Sequence, residues 1–482
     1  MASLFVSRDM KCSTSRHWAV RLTVFLMVVS AAGAIALGQA GLTTAPSQGD
    51  LQTPIPPPTA NQSATPLTLT LEDAITRAEK NSPQFQTAAT AVKAAHENRI
   101  QARAAMLPSV DYTTQYLNTQ GNGISPVGRF VTNDGVHVYR AWGVVHEAMP
   151  GSFFINAGPR SAAYAEALAK ASEEVARRGL VLTVTTDYYA LAVAQRDYAT
   201  SEISLENARR FLAIAKQLEQ GGEVAHTDVI RFQLQYNQQE QAFENAKLAV
   251  TTARLNLSVL LFPNFDQDYT VVDDLDIPPP LPSFAEAASM ASTNNPEVRA
   301  AFASFHQDKL AVSIARAAFY PSLSVDLDYG IEANAFALYS INNDTGLDRI
   351  RQPNLGYFVT YAVNLPIWDW GSRLSKLRQA KDQRALGRLK LSFAQRQTLA
   401  HLYSFYNEAR VAYGQIATLR DSVDLASHNL QLVTMQYKAG EAAVLQVLDA
   451  ETSLATARDA YAAGEARYRD ALASLQTVTG SF

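Results

Sequence analysis

Asn81-Ser82-Pro83 opens a run of 25 residues of helical character that closes on Leu107-Pro108-Ser109-Val110. Asn294-Asn295-Pro296 opens a second run of 25 residues that closes on Tyr320-Pro321-Ser322-Leu323. The offset is 213 positions at both ends, with nothing inserted between them. Farther on, Gly222-Glu223-Val224-Ala225 matches Gly440-Glu441-Ala442-Ala443 at an offset of 218. Two copies of roughly 200 residues therefore fill most of the chain, which points to a pseudo-symmetric assembly rather than an enzyme with one asymmetric site. The change of offset is placed between Gly158 and Tyr188, which predicts long helices of unequal length.

Ahead of the first copy, Arg8, Lys11, Arg16 and Arg21 precede an apolar run from Leu22 to Leu37, followed by Gly38 and Ala40. That order matches a secretory signal, so residues 1–40 are expected to be removed on export. A permanent anchor is the alternative, although the run is short for a span. No other segment has about 18 consecutive apolar residues, so no spanning helix is expected in the mature chain. The single cysteine, Cys12, lies in the signal, which leaves no disulfide, thiolate metal site or cysteine nucleophile. Loss of four bases and Asp9 takes the formal charge from −4 to −7, which disfavours nucleic acid as a partner. The chain has no His-Glu-x-x-His, Gly-rich phosphate loop or nucleophile elbow, and its eight histidines are scattered. Neither an enzyme, a cofactor nor a metal is expected.

Residues 41–66 form a Pro-rich segment, 67–263 the first repeat, 264–283 a linker and 284–482 the second repeat. Pro278-Pro279-Pro280-Leu281-Pro282 marks the joint, and the acidic, Val-rich stretch 269–276 precedes it. Each copy reads short helix, helix, strand, loop, strand, long helix, turn, helix. Helices are expected at 72–80, 83–106, 159–220 and 224–260, then at 284–292, 296–319, 371–438 and 441–479. Pro83 and Pro296 suit the first helical turn, with Asn81 and Asn294 as nearby caps. The two helices flanking each long one sum to about its length, so they are expected to stack end to end beside it. Helices this long need coiled partners along their extent. Leu205, Ala208, Leu212 and Ala215, and Val423, Ala426, Leu430, Val433 and Tyr437, supply the three-four spacing.

Strands are expected at 109–117, 138–147, 322–331 and 355–365. In the third, Leu323, Val325, Leu327 and Tyr329 alternate with Ser322, Ser324, Asp326 and Asp328. In the first, Val110, Tyr112 and Tyr116 alternate with Asp111, Thr113 and Gln115. The second is ambiguous, because Val138, Trp142 and Val144 share a face with Arg140. Alternation alone fits a half-buried soluble sheet or an outer-membrane barrel. Export and long polar loops at 118–137 and 332–354 favour the barrel. Four strands cannot close, since a small barrel needs about eight, and lipid forbids an open edge. A trimer supplies 12 strands and a lumen, whereas a dimer's eight would be filled by side chains. In the trimer, Asp111, Asp326 and Asp328 line the lumen.

This arrangement resembles the TolC-like outer membrane factors. Leu107-Pro108-Ser109-Val110 and Tyr320-Pro321-Ser322-Leu323 are similar to that family's helix-to-strand switch. The segment from Leu365 through Pro366, Trp368 and Trp370 to Gly371 and Arg373 is similar to its strand-to-helix switch, and Gln436-Tyr437-Lys438-Ala439-Gly440 to its second periplasmic turn. The resemblance implies a fold that is mainly α with a β-barrel part: a homotrimer with a 12-stranded barrel in outer-membrane lipid and a coiled-coil helical tunnel in the periplasm. It implies a periplasmic adaptor and an inner-membrane pump of RND, ABC or MFS type as partners, and export without chemistry.

Matching outward from the turn glycines Gly222 and Gly440, the resemblance puts the periplasmic aperture at Asp228, Tyr437, Gln446 and Asp449. The family's aperture arginine falls on Ala442, so a latch through that arginine is not expected. Carboxylates crowded on a threefold axis would favour cations. The first strand-to-helix switch, 149–158, is about three residues longer than its counterpart. The alternative function is a structural envelope spacer or adhesin without an open pore.

Overall fold

The computed structural model describes residues 67–118, 137–222, 224–263, 268–333, 336–342, 350–439 and 441–480. They belong to one compact unit, Ser63–Phe482. The expected signal, the Pro-rich segment, most of the first loop and Gly440 lie outside the described residues.

The first copy holds β1 (Leu67–Leu69), α1 (Leu71–Asn81), α2 (Pro83–Ala104), β2 (Ser109–Asn118) and β3 (His137–Met149). A single 3-10 turn (Phe153–Ile155) leads into α3 (Ala157–Gln220), and α4 (His226–Leu261) follows. β4 (Tyr269–Val271) lies in the joint. The second copy holds α5 (Phe284–Asn294), α6 (Pro296–Ala317), β5 (Ser322–Ala333), β6 (Tyr339–Asn342) and β7 (Ile350–Pro353). It ends with β8 (Leu355–Asn364), α7 (Ser372–Lys438) and α8 (Val444–Thr479).

Helix starts follow from local chemistry. Thr70 and Ser283 cap α1 and α5 in reciprocal boxes with Asp73 and Glu286. The caps of α2 and α6 are Ser82 and Asn295, one residue later than the asparagines expected from sequence. The shift has a simple cause: proline occupies the first helical position, so the residue directly before it becomes the cap. Asn81 instead donates its side-chain amide to Leu261 O.

The long helices α3 and α7 have 64 and 67 residues, roughly 96 and 100 Å at about 1.5 Å per residue. α2 and α4 have 22 and 36 residues, and so do α6 and α8. α2 and α4 both pack along α3, while α6 and α8 both pack along α7. α3 also packs along α6 and α8, so the order across the wall is stacked pair, α3, stacked pair, α7. Close approach depends on small side chains: Ala192, Ala215, Ala409, Ala412 and Ala471 are all buried.

The offset between copies changes differently from the sequence expectation. Cross-strand partners Ser109 and His146 correspond to Ser322 and Asn364, offsets of 213 and 218. The five-residue difference therefore lies in the hairpins between paired strands, not between Gly158 and Tyr188. Helix starts Ala157 and Ser372 then stand 215 apart, because the first switch is three residues longer. α7 recovers those three residues, and the offset at the turns is again 218.

Two further elements have no counterpart in the sequence reading. β1 pairs in parallel with β4, through Leu67 with Tyr269 and Leu69 with Val271. β6 and β7 pair antiparallel inside the loop expected to be long and polar. The β1–β4 pair sits over α3, where Tyr188 donates its hydroxyl to Val272 O at 2.7 Å, with Leu69 O 3.1 Å from the same oxygen. Around it Leu191, Leu257, Leu261 and Leu275 form a core that excludes water almost completely; each such side chain stabilises by about 1.5–3 kcal/mol. Arg196 reaches from α3 to Asp273 and Asp276 of the joint and to Glu465 of α8.

Candidate functional site

β2, β3, β5 and β8 form one antiparallel sheet in that order, with β2 and β8 at its free edges. The register sorts their side chains into two faces. Val110, Tyr112 and Tyr116 of β2 share one face with Leu323, Val325, Leu327 and Tyr329 of β5 and with Tyr357, Val359, Tyr361 and Val363 of β8. Tyr112, Tyr357, Tyr361 and Val363 are each about 70 % exposed. A soluble sheet would cover such a face; this one presents it outward.

The opposite face carries most of the charges; Glu147, which pairs with Val325 on the tyrosine-bearing face, is only 8 % exposed. Asp111 and Asp328 flank Val144 in the register, and Asp326 pairs with His146, whose Nδ1 lies 2.5 Å from its carboxylate. Ser109 donates its hydroxyl to Asp111. One step away, Arg140 bonds Glu332 at 2.8 Å and Gln115 at 3.3 Å. Asp111, Asp326 and Asp328 thus share one face, and the ambiguous strand β3 turns Arg140 and His146 toward it. His146 escaped the sequence reading, and Arg140 entered it only as the charge that made the strand ambiguous, because both sit between apolar residues. The face is not wholly polar: Trp142 meets Phe358 edge-on at 5.4 Å across Gly330. A Cβ at Gly330 would clash with Ala141 O and the Trp142 ring, so glycine there lets the two aromatics meet.

At the far end, the α3–α4 and α7–α8 turns meet in one cluster. Phe211, Leu212, Ala215, Val229, Phe232, Tyr437, Val444 and Val447 bring all four helices together. Gly222 has φ +75°, the left-handed conformation that ends a helix at low cost in glycine. Tyr437 is only 6 % exposed and packs edge-on to Phe232, which stacks on Phe211. Its hydroxyl has no hydrogen-bond partner among the described residues. Burial pushes its pKa up, and the nearby Asp228 charge adds to that. Asp228 is the third residue of α4, and its only ion pair among the described residues is with Arg231 of the same helix at 3.8 Å. Gln446 accepts from the Ala443 backbone N–H at 3.1 Å and so caps α8. Asp449 is exposed one turn farther along α8. His226 and Glu219, 2.6 Å apart, bridge the first turn; a lone histidine just after a turn glycine gave little signal.

Between the ends, the helical wall holds carboxylates that burial drives toward neutrality. Burial and the charge of Asp459 push Asp197 up to about 6. Burial pushes Glu451 up to about 7. Asp197 and Asp470 open onto a cleft of about 600 Å³ between α3, α7 and α8. Among the described residues, no three His, Cys, Asp or Glu side chains are grouped to hold a metal ion, and no helix is long and apolar enough to cross a membrane.

A family profile described as "Outer membrane efflux protein" matches residues 74–261 and 287–481. The chain is 24 % identical over 396 residues to the outer membrane efflux protein BepC of Brucella suis biovar 1 (strain 1330), covering 80 % of each. It is 25 % identical over 313 residues to the cobalt-zinc-cadmium resistance protein CzcC of Cupriavidus metallidurans, covering 64 % of this chain and 68 % of that one. Among solved structures, the Campylobacter jejuni CmeC outer membrane channel superposes with a TM-score of 0.72 at 17 % identity, covering 85 % of each chain. The outer membrane protein VceC of Vibrio cholerae superposes with a TM-score of 0.69 at 18 % identity, covering 85 % of this chain and 96 % of that one.

Proposed function

The chain belongs to the outer membrane efflux protein family, and from that premise we propose that it is the passive, trimeric exit duct of a tripartite export system. Channels of this family are trimers that work with adaptor and inner-membrane pump components. In the proposed assembly, the free edge of β8 in each chain pairs with β2 of the next. Three sheets of four strands then close a 12-stranded barrel that leaves no edge for lipid to solvate. The tyrosine-bearing face meets lipid, and the face carrying Asp111, Asp326 and Asp328 lines the lumen. The helical wall continues the passage into the periplasm.

One observation carries this reading: a sheet with two free edges, charged on one face and largely apolar and exposed on the other, where Glu147 is only 8 % exposed. Such a sheet is incomplete as a monomer and becomes complete only when closed in a membrane. The duct performs no chemistry. Energy and selection come from a pump of the RND, ABC or MFS type, joined through a periplasmic adaptor. Near the turns, Asp228 and Asp449 supply acidic groups to the periplasmic mouth. Tyr437 and Gln446 hold the hairpins in shape, Tyr437 by packing and Gln446 by capping.

Conductance of the purified protein in planar lipid bilayers tests the reading. Discrete cation-preferring channels from a trimer are expected. A well-folded trimer that carries no current, with or without Asp228→Ala and Asp449→Ala, would instead fit the envelope spacer.

A further inference from the structure

We propose that a groove on the outward face of the sheet's periplasmic end holds one acyl chain of a phospholipid from the periplasm-facing leaflet of the outer membrane. The proposal rests on the reading that the tyrosine-bearing face meets lipid. The groove exists because the two copies differ. The first strand-to-helix switch carries three extra residues, which form the 3-10 turn Phe153–Ile155. This turn stands against the base of β5 and encloses about 430 Å³ between Gly151, Phe154, Ile155, Tyr320, Leu323 and Val363. That volume falls in the range of about 300–1,000 Å³ typical of small-ligand pockets.

Gly151 is what allows the turn to sit there. A Cβ at that position would lie 2.5 Å from Ala317 O and 3.1 Å from Tyr320 Cβ. Only glycine can press so close to the end of α6. No charged side chain lines the groove, and Phe154, Tyr320 and Val363 each remain more than half exposed.

Continuity identifies the occupant. Leu323 and Val363 are cross-strand partners, and they form the last step of the outward apolar row that continues through Val325 and Tyr361. A chain packed along that row passes Glu147, the other cross-strand partner of Val325, whose carboxylate is only 8 % exposed, and enters the groove past Ser322 as its one small polar side chain. Just beyond β8, Trp368 and Trp370 are 73 % and 90 % exposed, as rings at a membrane interface are. Arg316, exposed in the last turn of α6, has no acidic partner among the described residues and is available to a lipid phosphate. A second copy of the chain fits this site less well. It would join at the free edge of β8, in the plane of the sheet, whereas the groove opens from the face over the interior strand β5.

The test uses the full chain in a Cys12→Ser background with Ile155→Cys carrying a fluorophore, reconstituted in phosphatidylethanolamine vesicles. Leu425→Cys, on the exposed surface of α7, serves as the aqueous control. Lipid brominated in its acyl chains should quench the Ile155→Cys label at least twofold while iodide leaves it unchanged, with the reverse at Leu425→Cys. Iodide quenching equal at both positions overturns the proposal by placing the groove in water. Protection from both quenchers overturns it by placing a neighbouring chain there. Native mass spectrometry of detergent-exchanged protein should find up to three retained phospholipids per trimer, lost in Phe154→Asp; retention unchanged by that variant also overturns the site. A trimer that conducts yet fails these tests loses only the lipid site, whereas one that neither assembles nor conducts fails the channel reading itself.

Discussion

Replacing Arg196 with methionine removes the one cation that, among the described residues, pairs with the Glu465 carboxylate. Glu465 is 1 % exposed and accepts from Arg196 at 2.8 Å, while Arg196 itself is 23 % exposed. Removing one partner of a buried ion pair costs about 3–5 kcal/mol, because the other charge is left without compensation. The bonds from Arg196 to Asp273 and Asp276 add little, since those carboxylates stay in contact with water. Arg196→Met should therefore destabilise the middle of the wall by about 3 kcal/mol. Adding Glu465→Met should restore most of that loss, because removing both charges also removes the desolvation cost.

The pH dependence provides a second check. Burial already pushes the Glu465 carboxyl up, against the pull of a hydrogen bond from Tyr461 and of the Arg196 charge. Without Arg196 it rises further, so the folded variant holds a proton where the unfolded chain has released it. Stability then falls as pH rises through that window and returns on acidification. Thermal unfolding followed by circular dichroism, at one scan rate and at pH values of about 5 and 7.5, reads both effects. Arg196→Met should melt several degrees below wild type at the higher pH and recover at the lower. An unchanged midpoint, or a double variant no better than the single, would refute the assignment of Arg196 and Glu465 as a buried pair.

Gly222→Ala forces a left-handed backbone on a residue with a Cβ and should cost about 1–2 kcal/mol, with Gly222→Asn milder; equal melting of all three would show that the turn relaxes freely. Asp326→Asn combined with Asp328→Asn should lower the cation-to-anion permeability ratio in bilayers, whereas an unaltered ratio would mean these groups do not face the permeating ions. Wild type should lose stability as pH rises from the usual glutamate range toward about 7, since burial holds the proton on Glu451 only in the folded state. Glu451→Gln should flatten that slope, and a slope unchanged by the substitution would place the titration elsewhere. Gly330→Val should block sheet formation by striking Ala141 O, and a variant that still assembles conducting trimers would show that β3 and β5 can separate there.

The helical and strand plan was legible because its signals are periodic and repeated. The Pro-Ser switches, the turn glycine Gly222 and the alternation at Ser322–Ala333 each fix a local conformation without distant partners. The β1–β4 pair was not legible, because three residues at Leu67 and three at Tyr269 carry no period long enough to read, and their pairing depends on Tyr188 of a third element. The single-residue shift of the caps at Ser82 and Asn295 shows proline position deciding between two plausible neighbours. At the turns, Tyr437 matched two roles in sequence, aperture and seam; its packing against Phe232 makes it a core residue within the chain. Arg140 and His146 required the strand register before their facing could be assigned.

The β1–β4 pair also sets an order of events. Leu67 emerges early in synthesis and export, yet its partner Tyr269 follows only after some 200 further residues, and closing so long a loop costs entropy before any contact repays it. Until then β1 is an unsatisfied edge in the periplasm, exposed to chance pairing with other chains. The parallel clasp therefore makes the first repeat's midsection dependent on the joint: its pairing cannot be completed until Tyr269–Val271 has been delivered.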